Sequence, residues 1–283
     1  MQAQVVLTPT ESKKLIAKAV LHMPQVQEAL KNGIVAIHPS SSTIFLYEEI
    51  MGKMPQGLWV CGVIGAKGLC GSNEAVEMIR SRGPGAHNPR EVSKETWFFK
   101  KGVLQESTPL GKILDQMTKT DVYIKGSNAL DPQGNVGVLF ANPAGGGGTI
   151  GKVMVAKRQQ NFHVILPIGI EKLIPVTIEK ASRAAGFRKV ENAMGIPSGL
   201  IPISGEKIDE TDALFRLFGV EATPIAAGGL GGAEGSVTIA FEGNDEQVKN
   251  AFGFLTSIKG VQLPVLNLPE SPDAFYSTLK IHP

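Results

Sequence analysis

Short continuous apolar runs, alternating with segments patterned as helices, constrain this chain more than any other feature. Ile34-Val35-Ala36-Ile37, Leu58-Trp59-Val60-Cys61-Gly62-Val63-Ile64, Val122-Tyr123-Ile124, the run 136–140 and Phe162-His163-Val164-Ile165-Leu166-Pro167 read as strands, mostly continuous apolar runs of the kind covered on both faces. Between them, apolar residues recur at helical spacing. Leu15, Ile16, Ala19 and Val20, then Val26, Ala29 and Leu30 after a step at Pro24, predict a helical stretch over residues 12–30 with Lys13, Lys14, Lys18 and Glu28 off its apolar face. Thr10 or Ser12 is the expected cap, and Asn32-Gly33 the stop. Further helices are expected over 44–51, 73–80, 110–117, 149–159 and 176–185. Strands alternating with helices imply an α/β fold, a Rossmann-like, mostly parallel sheet with helices on both faces.

After Gly186 the texture changes. Proline and glycine punctuate 196–205, a helix is predicted over 210–218, and 225–235 holds a glycine cluster. Ser236-Val237-Thr238-Ile239-Ala240-Phe241 alternates like a half-buried strand, and 245–258 reads as an amphipathic helix. Two units are therefore expected: residues 1–186 as the Rossmann-like domain, and 187–283 as a smaller α+β domain with a proline-rich tail.

Composition bounds the function. With 28 basic and 26 acidic side chains the net charge is only +2, too little for a polyanion partner, so nucleic acid is not expected. No run approaches the roughly 18 apolar residues of a membrane span, and no basic segment precedes an apolar one at the N-terminus. Two cysteines without paired spacing argue against a disulfide framework and for a reducing cytoplasm. None of His22, His38, His87, His163 and His282 stands at ligand spacing with another, so neither a metal nor a cofactor is expected.

Glycine, at 33 residues, is well above the usual share of about 7%, and its clusters mark turns. In an open α/β sheet, ligands sit outside the carboxyl ends of strands, where loops enter helices. Ser40-Ser41-Ser42-Thr43 offers hydroxyls and amides to an anion, against a plain cap in which the rest are solvated. Gly145-Gly146-Gly147-Gly148 would let backbone approach a ligand closely, with Lys152 adding charge. It lacks the ending of a phosphate-binding Walker loop and the spacing of a dinucleotide fingerprint. Residues 65–72 read as a third glycine-rich loop before a helix, placing Cys70 either as an activated thiol or as a small buried residue. His38, at a strand end, faces ligand or serves structure.

The order of these motifs resembles the ribose-5-phosphate isomerase A and CoA-transferase-like superfamily. It comprises the serine turn, the turn Gly126-Ser127-Asn128-Ala129-Leu130-Asp131-Pro132, the glycine run, and Val164-Ile165-Leu166-Pro167-Ile168-Gly169-Ile170-Glu171-Lys172-Leu173. The last looks most like the lactate-utilisation (LUD) branch, and the resemblance covers about residues 10–185. It departs where the isomerase keeps carboxylates: two of its aspartate positions hold Lys125 and Asn128, only Asp131 is kept, and the lysine before its glycine run is replaced by Ala144. Aldose-ketose isomerisation needs such a carboxylate near the migrating proton. Glu191-Asn192 echoes the nucleophile turn of CoA transferases without its flanks.

The resulting expectation is a protein binding a small anionic metabolite, a sugar phosphate or an acyl-CoA-like molecule, and acting as an isomerase- or transferase-type enzyme. Ser41, Ser42, Thr43 and the amides of Gly146, Gly147 and Gly148 would hold the anion, Lys125 and Lys152 would add charge, and Asn128 or Asp131 would contact hydroxyls. The alternative is a noncatalytic sensor or a homo-oligomeric assembly subunit, joined through 237–241 as an edge strand.

Overall fold

A computed structural model of the protein describes residues 1–55, 60–73, 96–105, 108–140, 147–186 and 189–268. The expected helix over 73–80 and Gly145 and Gly146 fall outside or run beyond these.

The fold is mixed α/β. It opens with strand β1 (Gln2–Leu7) and helices α1 (Pro9–Leu21) and α2 (Pro24–Asn32). The cap of α1 is Thr8 rather than Thr10 or Ser12, because Pro9 has no amide hydrogen to satisfy and takes the first helical position. Thr8 then forms a capping box with Glu11, its hydroxyl accepting from the Glu11 amide at 3.3 Å while its own amide donates to Glu11 Oε2 at 2.9 Å. Gly33 ends α2, as the Asn-Gly pair predicts.

β2 (Ile34–His38) is buried along its whole length, and α3 (Ile44–Met51) follows it. The hairpin β3 (Cys61–Gly65) and β4 (Gly68–Gly71) comes next, then β5 (Trp97–Lys100), β6 (Val103–Leu104), α4 (Leu110–Leu114), β7 (Val122–Lys125), β8 (Ala129–Leu130), β9 (Val136–Phe140) and α5 (Gly148–Gln160). The chain closes with β10 (His163–Pro167), a 3-10 turn Ile170–Lys172, α6 (Ile178–Ala184), β11 (Gly199–Ile203), β12 (Glu206–Ile208), α7 (Glu210–Phe218), β13 (Glu221–Gly228), β14 (Ser236–Glu242) and α8 (Asp245–Ser257).

The main sheet runs β12-β10-β7-β2-β5-β6. Its first four strands are parallel, while β5 is antiparallel to β2 and β6 to β5. Alternate residues of each central strand feed two cores. Val35, Ile37, Val122, Ile124 and Ile165 join the apolar faces of α1, α2 and α3, whereas Ile34, Ala36, Tyr123, Val164 and Leu166 pack with Leu110, Ile113, Ile150 and Val153 of α4 and α5. Each such full burial stabilises by about 1.5–3 kcal/mol, which is why these runs lack polar alternation.

Among the described residues three smaller sheets accompany the main sheet: β1-β14-β13, β11-β9-β8 and the β3-β4 pair. Strands from both sides of residue 186 share sheets, since β1 pairs with β14, β9 with β11 and β10 with β12. One continuous core likewise unites Leu15, Val20 and Phe45 with Leu214, Ile239, Phe241 and Leu255.

Two expectations are corrected here. Residues 237–241 are not an edge strand, because β14 lies between β1 and β13; its alternation reflects Val237, Ile239 and Phe241 facing the core under α8. Residues 65–72 are not a glycine-rich loop but the end of β3, the turn and the second strand of the β3-β4 hairpin. Leu69 exchanges backbone hydrogen bonds with residues 194–196, donating to Met194 O at 3.1 Å and accepting from Ile196 at 2.8 Å. A Cβ on Gly68 would overlap the Met194 carbonyl, and its φ of +126° is open to glycine alone, so glycine here serves close strand contact.

Among the described residues no helix is long and apolar enough to cross a membrane.

Candidate functional site

The carboxyl ends of β2, β7 and β10 lie side by side, with His38 in register with Lys125. After β2 the chain folds on itself: the amides of Thr43 and Ile44 both donate to Ser40 O at 3.1 Å. Thr43 spends its hydroxyl on His38 O at 2.7 Å, with Ser40 Oγ at 3.0 Å. Gly126, just past β7, rests against this turn so closely that a Cβ would come within 2.5 Å of Ser40 Oγ and 3.0 Å of Ser42 Cβ. The serine turn and the turn after β7 therefore meet, and glycine is what permits it.

Lys172 pins them together. It stands in the 3-10 turn that follows β10, half-buried along its stem, and its Nζ donates to Ser42 Oγ at 2.9 Å and to Ser127 O at 2.8 Å. Around it lie three more charged side chains. Glu171 pairs with the buried Lys13 of α1 at 3.1 Å. Glu210, the first residue of α7, is fully buried and accepts from the Ile170 amide at 2.9 Å. The Glu171 carboxylate folds back over Gly169, where a Cβ would have to displace it. The hydroxyl of Ser127, a buried residue, has no hydrogen-bond partner among the described residues.

The electrostatics follow from burial. Removal from water pushes the Lys172 amine down to about 8, helped by Lys13 and opposed by Glu171 and Glu210. Burial pushes the Glu210 carboxyl up to about 7, the negative Glu171 adding to it. Buried His38 is held well below its ordinary value by desolvation and by Lys125, so it is a neutral imidazole at pH 7. The site thus holds an amine and a carboxyl that both titrate near neutrality, the pattern expected where proton transfer or ligand charge matters.

Of the residues expected from sequence, Ser42 and Lys125 stand at this junction, Ser41 is half-buried beside it, and Thr43 is fully buried with its hydroxyl used by the turn. Asn128 and Asp131 hold the fold. Asn128 Oδ1 accepts from the Leu139 amide at 3.0 Å and its Nδ2 donates to Gly62 O at 3.4 Å. Asp131 accepts from the amides of Gln133, Asn135 and Ile178 and from the Asn135 side chain, at 2.8–3.0 Å. Burial would raise its carboxyl, but these four donors outweigh burial and hold it below the ordinary value.

Gly147 and Gly148 start α5 with left-handed φ of 72° and 59°, and the nearest neighbours of Gly147 are Ile201 and Gly151. Lys152 is half-buried on the first turn of α5, and Gly146 lies outside the described residues. Cys70 is buried in β4 and desolvation raises its thiol, as a small core residue requires rather than a nucleophile. No group of three or more His, Cys, Asp or Glu among the described residues could hold a metal ion.

Lys13, Glu171, Lys172 and Glu210 were not among the expected site residues. Three signals point to them: the Gly-Ile-Glu-Lys sequence after an apolar strand, a glutamate opening a helix behind Asp209, and a lysine adjacent to the apolar stripe of α1. Comparison with family models, with curated proteins and with solved structures found no match to this chain.

Proposed function

We propose that the protein binds a small anionic metabolite at the carboxyl ends of β2, β7 and β10, in a Rossmann-like arrangement. A sugar phosphate or an acyl-CoA-like molecule is the ligand class, and isomerase- or transferase-type chemistry the activity. The carrying observation is the solvation of Lys172: among the described residues its buried ammonium end contacts only neutral oxygens, Ser42 Oγ and Ser127 O, so its charge is left for a ligand. Ion pairing cancels much of the rest, because Lys13 is matched by Glu171 and burial keeps Glu210 partly protonated at pH 7. The resemblance of the serine turn, the 126–132 turn and the 164–173 segment to the ribose-5-phosphate isomerase A and CoA-transferase-like superfamily supports the same ligand class.

The test is thermal-shift and calorimetric titration with ribose 5-phosphate, acetyl-CoA and inorganic phosphate, for the wild type and for Lys172→Met. At 100 times the dissociation constant, binding adds about 2.7 kcal/mol to stability. Stabilisation of the wild type that is lost in Lys172→Met supports the reading. Absence of stabilisation at millimolar ligand, or equal stabilisation of the variant, overturns it.

A further inference from the structure

The described lysines that are removed from water mostly meet carboxylates. Lys13 meets Glu171, Lys14 meets Glu48 and Glu49, and Lys207 meets Asp209 and Asp212. Lys172 differs: among the described residues no carboxylate oxygen comes within 4.0 Å of its Nζ. Two of its three N–H positions are fixed by Ser42 Oγ and Ser127 O. The third direction is unclaimed, and on loss of a proton it becomes a lone pair. The stem is carried on the 3-10 turn Ile170–Lys172, directly after β10.

We propose that Lys172 is a nucleophilic amine that captures the carbonyl carbon of a small anionic aldehyde or ketone as an imine. The inference rests on the anionic-ligand reading of the same site and adds the carbonyl.

The free amine attacks the carbonyl carbon, forming a C–N bond and a carbinolamine. The carbonyl oxygen then leaves as water, carrying the two hydrogens that were on nitrogen, so no oxidant or reductant is consumed. Glu171, Lys13 and Glu210 are the charged groups that act electrostatically on this amine. Burial, by lowering its basicity toward about 8, leaves roughly a tenth of it as free amine at pH 7, against less than about 0.1% for an ordinary lysine.

The experiment treats the full chain at pH 7 with glyoxylate or propionaldehyde and sodium cyanoborohydride, with and without inorganic phosphate. Intact mass and peptide mapping locate the adduct. The expected result is a first adduct at Lys172, formed by glyoxylate roughly ten-fold or more faster than adducts on exposed lysines. It should disappear in Lys172→Arg, whose fold is checked by circular dichroism. Adducts spread over surface lysines, or unchanged in Lys172→Arg, overturn the imine. Stabilisation by phosphate without an adduct at Lys172 overturns it too, yet leaves the anion reading intact. Adduct at Lys172 from both aldehydes at equal rates, with no protection by phosphate, keeps the amine and removes the anion.

Discussion

Lys207 and Lys172 sit on neighbouring segments of one molecule and solve opposite problems. Lys207, on β12, places its ammonium 2.6 Å from both Asp209 and Asp212 at the start of α7. Burial alone would lower its basicity, but the two carboxylates outweigh burial and hold it above the ordinary value. Asp209 in turn caps α7, accepting from the Thr211 and Asp212 amides at 2.9 and 3.0 Å. Every charge there has a partner, as in a network built for stability. Among the described residues Lys172 has hydroxyl and carbonyl oxygens only, and its amine falls to about 8. The difference teaches that burial of a lysine is uninformative until its partners are counted: the same side chain is a structural pin in one place and a poised group in the other.

The comparison can be broken in four ways. The largest effect should come from Glu210→Gln, which fixes the carboxyl in a neutral form. A carboxyl raised from 4.5 to about 7 by folding contributes stability that is present below pH 4.5 and lost as the pH rises through about 7. Between pH 4 and pH 8 the variant should therefore gain about 3 kcal/mol on the wild type in urea melts; parallel profiles would show that Glu210 does not titrate in this range. Next, Asp209→Ala removes a helix cap and an ion pair together, and should cost about 2 kcal/mol. An unchanged midpoint would demote the Lys207 network.

The third test compares Lys172→Met with Lys207→Met. Lys172 has a depressed value, so its contribution is present above pH 10.5 and lost as the pH falls through about 8. From pH 10 to pH 7, Lys172→Met should gain about 2 kcal/mol on the wild type, after allowance for solvent at its half-exposed stem. Lys207 is raised, so its contribution stays constant below pH 10.5 and Lys207→Met should trace a flat difference. Two flat curves would erase the contrast. The smallest effect is that of Ser42→Ala, which deletes one acceptor of Lys172 and should cost about 1 kcal/mol. It sharpens the comparison if, in addition, trapping at Lys172 slows while trapping at surface lysines does not.

Local signals in the sequence were sufficient for β2, α3, α7 and α8, whose residues carry their own periodicity and stops: Asn244 caps α8 and Gly219 closes α7. They failed where partners are distant. Gln2–Leu7 shows exposed alternate residues and becomes a strand only through β14, and Glu221–Gly228 hides its strand behind Pro224 and small residues. The site divides in the same manner. Ser42 and Lys125 could be named because one lies in the turn after a strand and the other ends one, whereas Asp131 has the residue type of a ligand contact and is consumed by four donors on three neighbours. Lys13, read as a solvent-facing charge, is buried because Glu171, 158 positions later (171 minus 13), neutralises it. Sequence spacing carries no signal of such a pairing.

One consequence lies in the pairing of Gln2 with Glu242, reinforced by Glu11 accepting from Gly260 at 2.9 Å. A ribosome adds roughly 5–20 residues per second, so β1 waits roughly ten to fifty seconds for β14. During that interval the apolar side of α1 lacks the part of its core supplied by Leu214, Ile239 and Phe241. A nascent chain of this design is therefore exposed to chaperones and to misassociation until β14 is made, and a stalled product ending before residue 236 would lack β14 altogether.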